Sequence, residues 1–269
     1  MPLFHIVLLA VIQGLTEFLP ISSSGHLILL PGLTGLEDQG QLIDVAVHIG
    51  TLFAVILYFR QDVAVAIGGL GRLVKGKVDT HGARLAIGLI ASTAPVMAVG
   101  FILHATGLDQ AMRSVAVIGW SMLIFGLVLY WADQKGAEYK TAEDWRFRDA
   151  MAMGLWQAVA LIPGTSRSGI TITGGRHLGY SREEAARLAM LMSIPTILAS
   201  GGLLGLDVIE AGDWTLAQDA GLAAVLAFAA ALLALSLMMR LLKTVSFTPY
   251  VIYRVILGTG LLIYAYGWL

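Results

Sequence analysis

Two short polar clusters interrupt apolar stretches of the chain, and they carry the side chains best suited to chemistry. The first reads Gln13-x-x-x-Glu17-x-x-Pro20-x-Ser22-Ser23-Ser24-Gly25-His26, the second Pro163-Gly164-Thr165-Ser166-Arg167-Ser168-Gly169. Gln13 and Glu17 are four apart and share one face of a helix. A carboxylate at membrane depth costs at least about 2.5–3.5 kcal/mol, so in such a setting Glu17 needs a partner or a task. Pro20 stops its helix, and Ser22, Ser23 and Ser24 can cap a new one beginning near His26. A helix start with free amides, hydroxyls and a close-approach Gly25 is an anion site. The planar fork of Arg167 suits bidentate phosphate binding, with Thr165, Ser166, Ser168 and Gly169 supplying hydroxyl and backbone donors.

The set of one carboxylate, one imidazole, one guanidinium and several hydroxyls fits phosphoryl transfer. Arg167 and the cluster amides would hold the phosphate, and Glu17 a divalent metal or a proton. His26 would be general acid/base or the nucleophile, with Ser23 the competing nucleophile. Plainer roles exist for the same residues. The serines can serve only as caps, and Arg167 can pair with Glu17 to hold the clusters together. Pairing and phosphate binding are compatible, because an empty site must balance its own charge.

The elements that must position these groups lie in a membrane. Of 269 residues, 57% are hydrophobic and only 13% charged, against about 25% charged in soluble domains. That excludes disorder, coiled coil and an ordinary soluble enzyme. A net charge of −1 gives no nucleic-acid footprint, and the absence of cysteine rules out disulfide scaffolds and thiolate chemistry. A bilayer core about 30 Å thick needs roughly 20 apolar residues per helix. Runs 41–59, 84–104, 113–131, 186–206, 217–238 and 249–267 meet or approach that length. Lys and Arg gather at 60–84, 132–149, 176–187 and 240–243, which assigns those segments to the cytoplasm. The opposite connections hold Asp109 with Arg113, and Asp207, Glu210, Asp213 and Asp219 with no Lys or Arg. Gly201, Gly202 and Gly205 are expected to allow close helix packing. Asp44 and His48 read as a hydrogen-bonded interface pair, and Tyr264, Tyr266 and Trp268 as an interfacial belt.

With that orientation, 150–185 must enter and leave on one side, as a re-entrant hairpin with the Arg167 cluster at its tip. Residues 1–40 form the counterpart from the opposite side. At an offset of 144, Gln13, Ser22, Ser24, Gly25 and Ile28 match Gln157, Ser166, Ser168, Gly169 and Ile172. The fold expected is an all-α polytopic membrane domain over 1–269. Its six transmembrane helices and two re-entrant hairpins form an inverted-topology repeat with halves of approximately 1–130 and 131–269. Such folds place their site near the midplane, where broken helices meet.

GLTEFLPISSSGH at 14–26, IDVAVHIGT at 43–51, PGTSRSG at 163–169 and SFTPYVIYR at 246–254 resemble the undecaprenyl-diphosphate phosphatases, also called bacitracin-resistance proteins. The likeness covers essentially the whole chain. It implies hydrolysis of undecaprenyl diphosphate to the monophosphate carrier lipid of peptidoglycan synthesis, in the bacterial inner membrane. It also implies a site open to the periplasm, Mg²⁺ or Ca²⁺ as cofactor, and a homodimer. The family's functional positions fall on Glu17, Ser22, Ser23, Ser24, His26 and Arg167. Its first acidic site falls on Gln13, where either Glu or Gln occurs, so Gln13 carries no proton-transfer role. The rival readings are a transporter or flippase of the phosphorylated carrier, which shares the inverted-repeat architecture, and a scaffold that would leave Glu17, His26 and Arg167 without a task.

Overall fold

The computed structural model describes residues 2–35, 40–211 and 217–267. Trp268 and Asp213 lie outside the described residues, as do 36–39 at the close of the first expected hairpin. The side chains around Gly205 are likewise not described. Among the described residues the chain folds as α1 Leu3–Phe18, α2 Ser23–Thr34, α3 Gly40–Tyr58, α4 Arg60–Leu73, α5 His81–Thr106, α6 Leu108–Ala111, α7 Val115–Lys135, α8 Phe147–Ala158, α9 Arg167–His177, α10 Arg182–Ala211, α11 Ala217–Leu241 and α12 Thr248–Ala265. Six of these helices, α3, α5, α7, α10, α11 and α12, are long and apolar enough to cross a membrane. They coincide with the six hydropathy runs. The protein is a multi-pass helical membrane protein.

Helix packing rests on small residues, since lipid offers no hydrophobic drive between helices. Helix α11 lies against both α1 and α3 through a buried stripe of Ala220, Ala223, Ala227, Ala231 and Ala234. Opposite it, a Cβ on Gly50 would stand 2.2 Å from the carbonyl oxygen of Ala224, so only glycine fits. Helix α5 meets α8 in the same way, where a Cβ on Gly154 would come within 2.5 Å of the Ser92 carbonyl oxygen. Gly201 and Gly202 meet no such neighbour among the described residues: none of their atoms stands within 4 Å of a Cβ at either. The closely buried part of α10 lies before them, ending at Ile197.

The basic stretch 60–84 contains α4, which packs on α5 where Gly69 crosses Gly82. Beyond α7, two of the cationic residues turn inward. Arg176 donates to the carbonyls of Tyr180, Asp133 and Gly136 at 2.7, 3.0 and 3.1 Å, and Arg182 to the buried Asp133 carboxylate at 2.6 Å. The buried Tyr180 hydroxyl donates to Asp149 at 2.6 Å; burial, then that carboxylate, raises its pKa far above the phenol norm. These contacts fix the loops below α9 and so the base of the site. The polar clusters themselves fall in the breaks between two packed pairs of short helices, α1 with α2 and α8 with α9.

Candidate active site

Each break is built by the same backbone device. Ser22 and Ser166 have φ of 76° and 72°, the two positive values outside glycine among the described residues. That conformation is strained for an L-residue. In each case the hydroxyl then caps the following helix. Ser22 Oγ accepts the Gly25 amide at 3.3 Å, and Ser166 Oγ accepts the Gly169 amide at 3.1 Å. A second hydroxyl follows each, Ser24 at 3.4 Å from Ser22 and Ser168 at 3.1 Å from Ser166. The identities at an offset of 144 therefore coincide with the same local cap at both breaks. Caps of this kind leave the first helical amides free. Those of Ser23, Ser24, Arg167 and Ser168 meet no acceptor among the described residues.

The two units meet at Glu17, which is only 7% exposed. Its Oε1 accepts Arg167 Nη2 at 2.7 Å. Its Oε2 accepts the Ser23 hydroxyl at 2.7 Å and Gln13 Nε2 at 2.9 Å. The expected pairing of the two clusters is thus present, and it leaves capacity over. Arg167 Nη1, Gln13 Oε1 and Thr165 Oγ are buried without a hydrogen-bond partner. Such orphans are costly and call for a ligand or a water.

Further contacts lock the breaks together. Ser168 Oγ donates to the Leu19 carbonyl at 2.9 Å, and Ser121 Oγ donates to that of Pro163. Gly25 and Gly169 let the backbones touch: a Cβ on Gly25 would lie 3.6 Å from Gly164 Cα, and one on Gly169 3.3 Å from Pro20 Cβ. The central brace is Arg254, fully buried on α12. Its guanidinium donates to the carbonyls of Met122 at 3.1 Å and of Pro20, Ser121 and Gly164 at 3.3 Å. Arg254 falls within the apolar run 249–267, where no motif signals a task for it. Its ligands are main-chain oxygens from three distant segments, which no side-chain motif announces.

A cavity of about 640 Å³ opens above the pair, lined by Glu17, Ser22, Ser23, Ser24, Ser166 and Arg167 on its polar wall. Val96, Met97, Phe101, Ala160 and Leu161 form the apolar wall, with His48, His104 and Gln157 between. Gln13 joins through Glu17, and Ser168, Gly25, Gly169 and Thr165 through the structure of the breaks. His26 does not line this cavity. Its Nδ1 lies 2.6 Å from the Ser22 carbonyl and its Nε2 2.6 Å from the Tyr253 hydroxyl, with the two rings stacked. A larger cavity, about 920 Å³ and ringed by Arg60, Asp62, Glu184 and Arg187, lies at the far end of α3. Within it Arg187 pairs with Asp62 and, at 3.5 Å, with Glu184.

Mg²⁺ is commonly held by one or two carboxylates together with substrate phosphates. Glu17 and the partnerless Gln13 Oε1 fit that pattern. Ca²⁺ takes six to eight oxygens, carbonyls and waters among them, so Glu17 and Gln13 Oε1 would supply only part of its shell.

The fold and site define a helical membrane protein with a charged, anion-ready interior between two broken helices. The chain matches the family described as bacitracin resistance protein BacA over residues 6–260, and it belongs to that family. It is 71% identical over 267 residues to a protein of Dinoroseobacter shibae named undecaprenyl-diphosphatase, covering 99% of this chain and 100% of that one. A Ruegeria pomeroyi protein of the same name is 65% identical with the same coverage. Undecaprenyl-diphosphatase 1 of Rhodospirillum rubrum is 47% identical, over 99% of this chain and 96% of its own.

Proposed function

We propose that the protein hydrolyses undecaprenyl diphosphate to undecaprenyl phosphate and inorganic phosphate, recycling the carrier lipid for peptidoglycan synthesis and so conferring bacitracin resistance. The observation that carries this reading is the Glu17–Arg167 pair with Arg167 Nη1 and four helix amides left unpartnered beside it. These donors would hold the terminal phosphate where charge develops. Ser23 already donates to Glu17, so Glu17 takes its proton as Ser23 Oγ bonds to the terminal phosphorus. The bond from that phosphorus to the bridging oxygen breaks, and the electron pair leaves with undecaprenyl phosphate. Water then cleaves the Ser23 ester and frees inorganic phosphate. A Mg²⁺ held by Glu17 and Gln13 Oε1 would offset the diphosphate charge. A site of 640 Å³ is of small-molecule size. It receives the headgroup and first prenyl units, while the rest of the tail stays in the bilayer.

The breaks are read as tips of two re-entrant hairpins in an inverted repeat. Their identical caps support this, as does the exchange of partners: α11 packs on α1 and α3, while α5 packs on α8 and α10. The site is read as opening to the periplasm of the inner membrane. Phe101 and His104, near the end of α5, line the cavity toward the connection that holds Asp109 and Arg113 rather than toward the basic segments. Purified protein with Mg²⁺ should release inorganic phosphate from farnesyl diphosphate. No release would overturn the enzyme reading and favour a carrier-lipid transporter.

A further inference from the structure

Of the six histidines in the chain, two line the cavity that Glu17 and Arg167 share. One is His104, an exposed rim residue whose Nδ1 sits 3.3 Å from Asp109. The other is His48, on the inner part of α3. The ring of His48 is held in a defined tautomer: Nδ1 lies 2.7 Å from the backbone carbonyl of Asp44, one helical turn back. A carbonyl oxygen only accepts, so Nδ1 carries the hydrogen and the neutral ring presents a lone pair at Nε2. That nitrogen has no protein partner among the described residues, and its side chain borders the cavity with Ser23, Ser24 and Arg167. His26 offers the opposite arrangement. The same argument places a hydrogen on its Nδ1 against the Ser22 carbonyl, and its Nε2 lone pair is taken by the Tyr253 hydroxyl.

Glu17 is already committed to Ser23, so the second half of the reaction lacks a base. We propose that His48 is a further catalytic residue: its Nε2 takes the proton from the water that hydrolyses the phosphorylated Ser23. This rests on the diphosphatase reading above. In this step the water oxygen bonds to phosphorus and its proton passes to His48 Nε2. The bond from phosphorus to Ser23 Oγ breaks, and Ser23 recovers its proton from Glu17. His48 then returns its proton to solvent. Two bases divide the work, Glu17 on the serine and His48 on the water, and the helix carbonyl of Asp44 keeps the second in the correct tautomer.

The test is rapid-quench kinetics with farnesyl diphosphate and Mg²⁺, comparing wild type, His48→Gln and His26→Gln. His48→Gln is expected to form about one equivalent of farnesyl phosphate in a burst. Its steady-state turnover should then fall by about 10²-fold, the scale of a lost general base. Mass spectrometry should find phosphate on Ser23 in that variant, and His26→Gln should show no such accumulation. Steady turnover by His48→Gln at the wild-type rate, or loss of the burst itself in a folded protein, overturns the proposal. A wild type that makes no farnesyl phosphate instead overturns the diphosphatase reading beneath it. Should His48→Gln fail to fold, the wild type serves. Carbethoxylation mapped to His48 should convert turnover into the same single burst, and unchanged turnover after that modification overturns the role.

Discussion

Arg167 holds Glu17 with one guanidinium nitrogen and keeps another buried and empty. Arg167→Ala should therefore lower kcat/KM for farnesyl diphosphate by about 10²-fold or more, and Arg167→Lys should recover little, because an ammonium is a point charge without the fork. Full activity in Arg167→Ala would reduce it to a structural ion pair. Arg254 acts through the backbone. Replacing it by Met strands the carbonyls of Pro20 and Gly164, whereas those of Ser121 and Met122 keep their partners within α7. Each buried unpaired group costs about 1–3 kcal/mol, so the midpoint of thermal unfolding in detergent should fall clearly, and an unchanged midpoint would show the brace to be idle. The contrast between these two arginines marks what was legible. Glu17 and Arg167 stand out as charges in polar clusters, and their pairing follows from charge balance alone. Arg254 contacts carbonyls brought together only by tertiary packing, so its sequence context is silent. The proximity of His26 to the serines suggests chemistry; in the fold its ring meets Tyr253, while His48 of α3 lines the cavity.

The helices follow from hydropathy where they are uniformly apolar, and all six long ones do. Their interfaces are less readable, because glycine is frequent along the chain and only some glycines face a neighbour. Gly50 faces the Ala224 carbonyl at a distance no Cβ can occupy, whereas Gly201 faces no atom of the described residues within 4 Å. Gly50→Ala should accordingly destabilise by about 1–3 kcal/mol through overpacking. Gly201→Ala should be neutral or gain up to about 1 kcal/mol from helix propensity. Paired thermal melts decide it; equal midpoints would remove α11 on α3 as a close-packed interface. Helix α2 supplies a second element-level expectation. His26 and Tyr253 together pin its first turn, so Tyr253→Phe and His26→Ala should lose activity in parallel. Activity retained in Tyr253→Phe but abolished in His26→Ala would instead return His26 to proton transfer. Helix α4 escaped hydropathy because Arg60, Asp62 and Arg72 interrupt its apolar residues.

At the scale of the whole molecule, the charge pattern and the cavity make one joint claim about sidedness. On the proposed orientation the basic segments and the connection after α5 lie on opposite faces, and the cavity, with His104 at its rim, opens on the latter. The chain contains no cysteine, so single introduced thiols report without background. Gln110→Cys, exposed in α6, should react with a membrane-impermeant maleimide in spheroplasts, and Lys77→Cys only after the membrane is opened. His104→Cys should react from the same side as Gln110→Cys, and farnesyl diphosphate should slow that reaction by filling the cavity. The three results are coupled through the geometry of α5: its 26 residues span about 39 Å at 1.5 Å per residue, enough to carry its two ends to opposite surfaces. Labelling of Gln110→Cys that required permeabilisation would invert the orientation and turn the site toward the cytoplasm. Substrate protection at residue 104 without a change in sidedness would keep the cavity as the binding site even then, so sidedness and site location can fail separately.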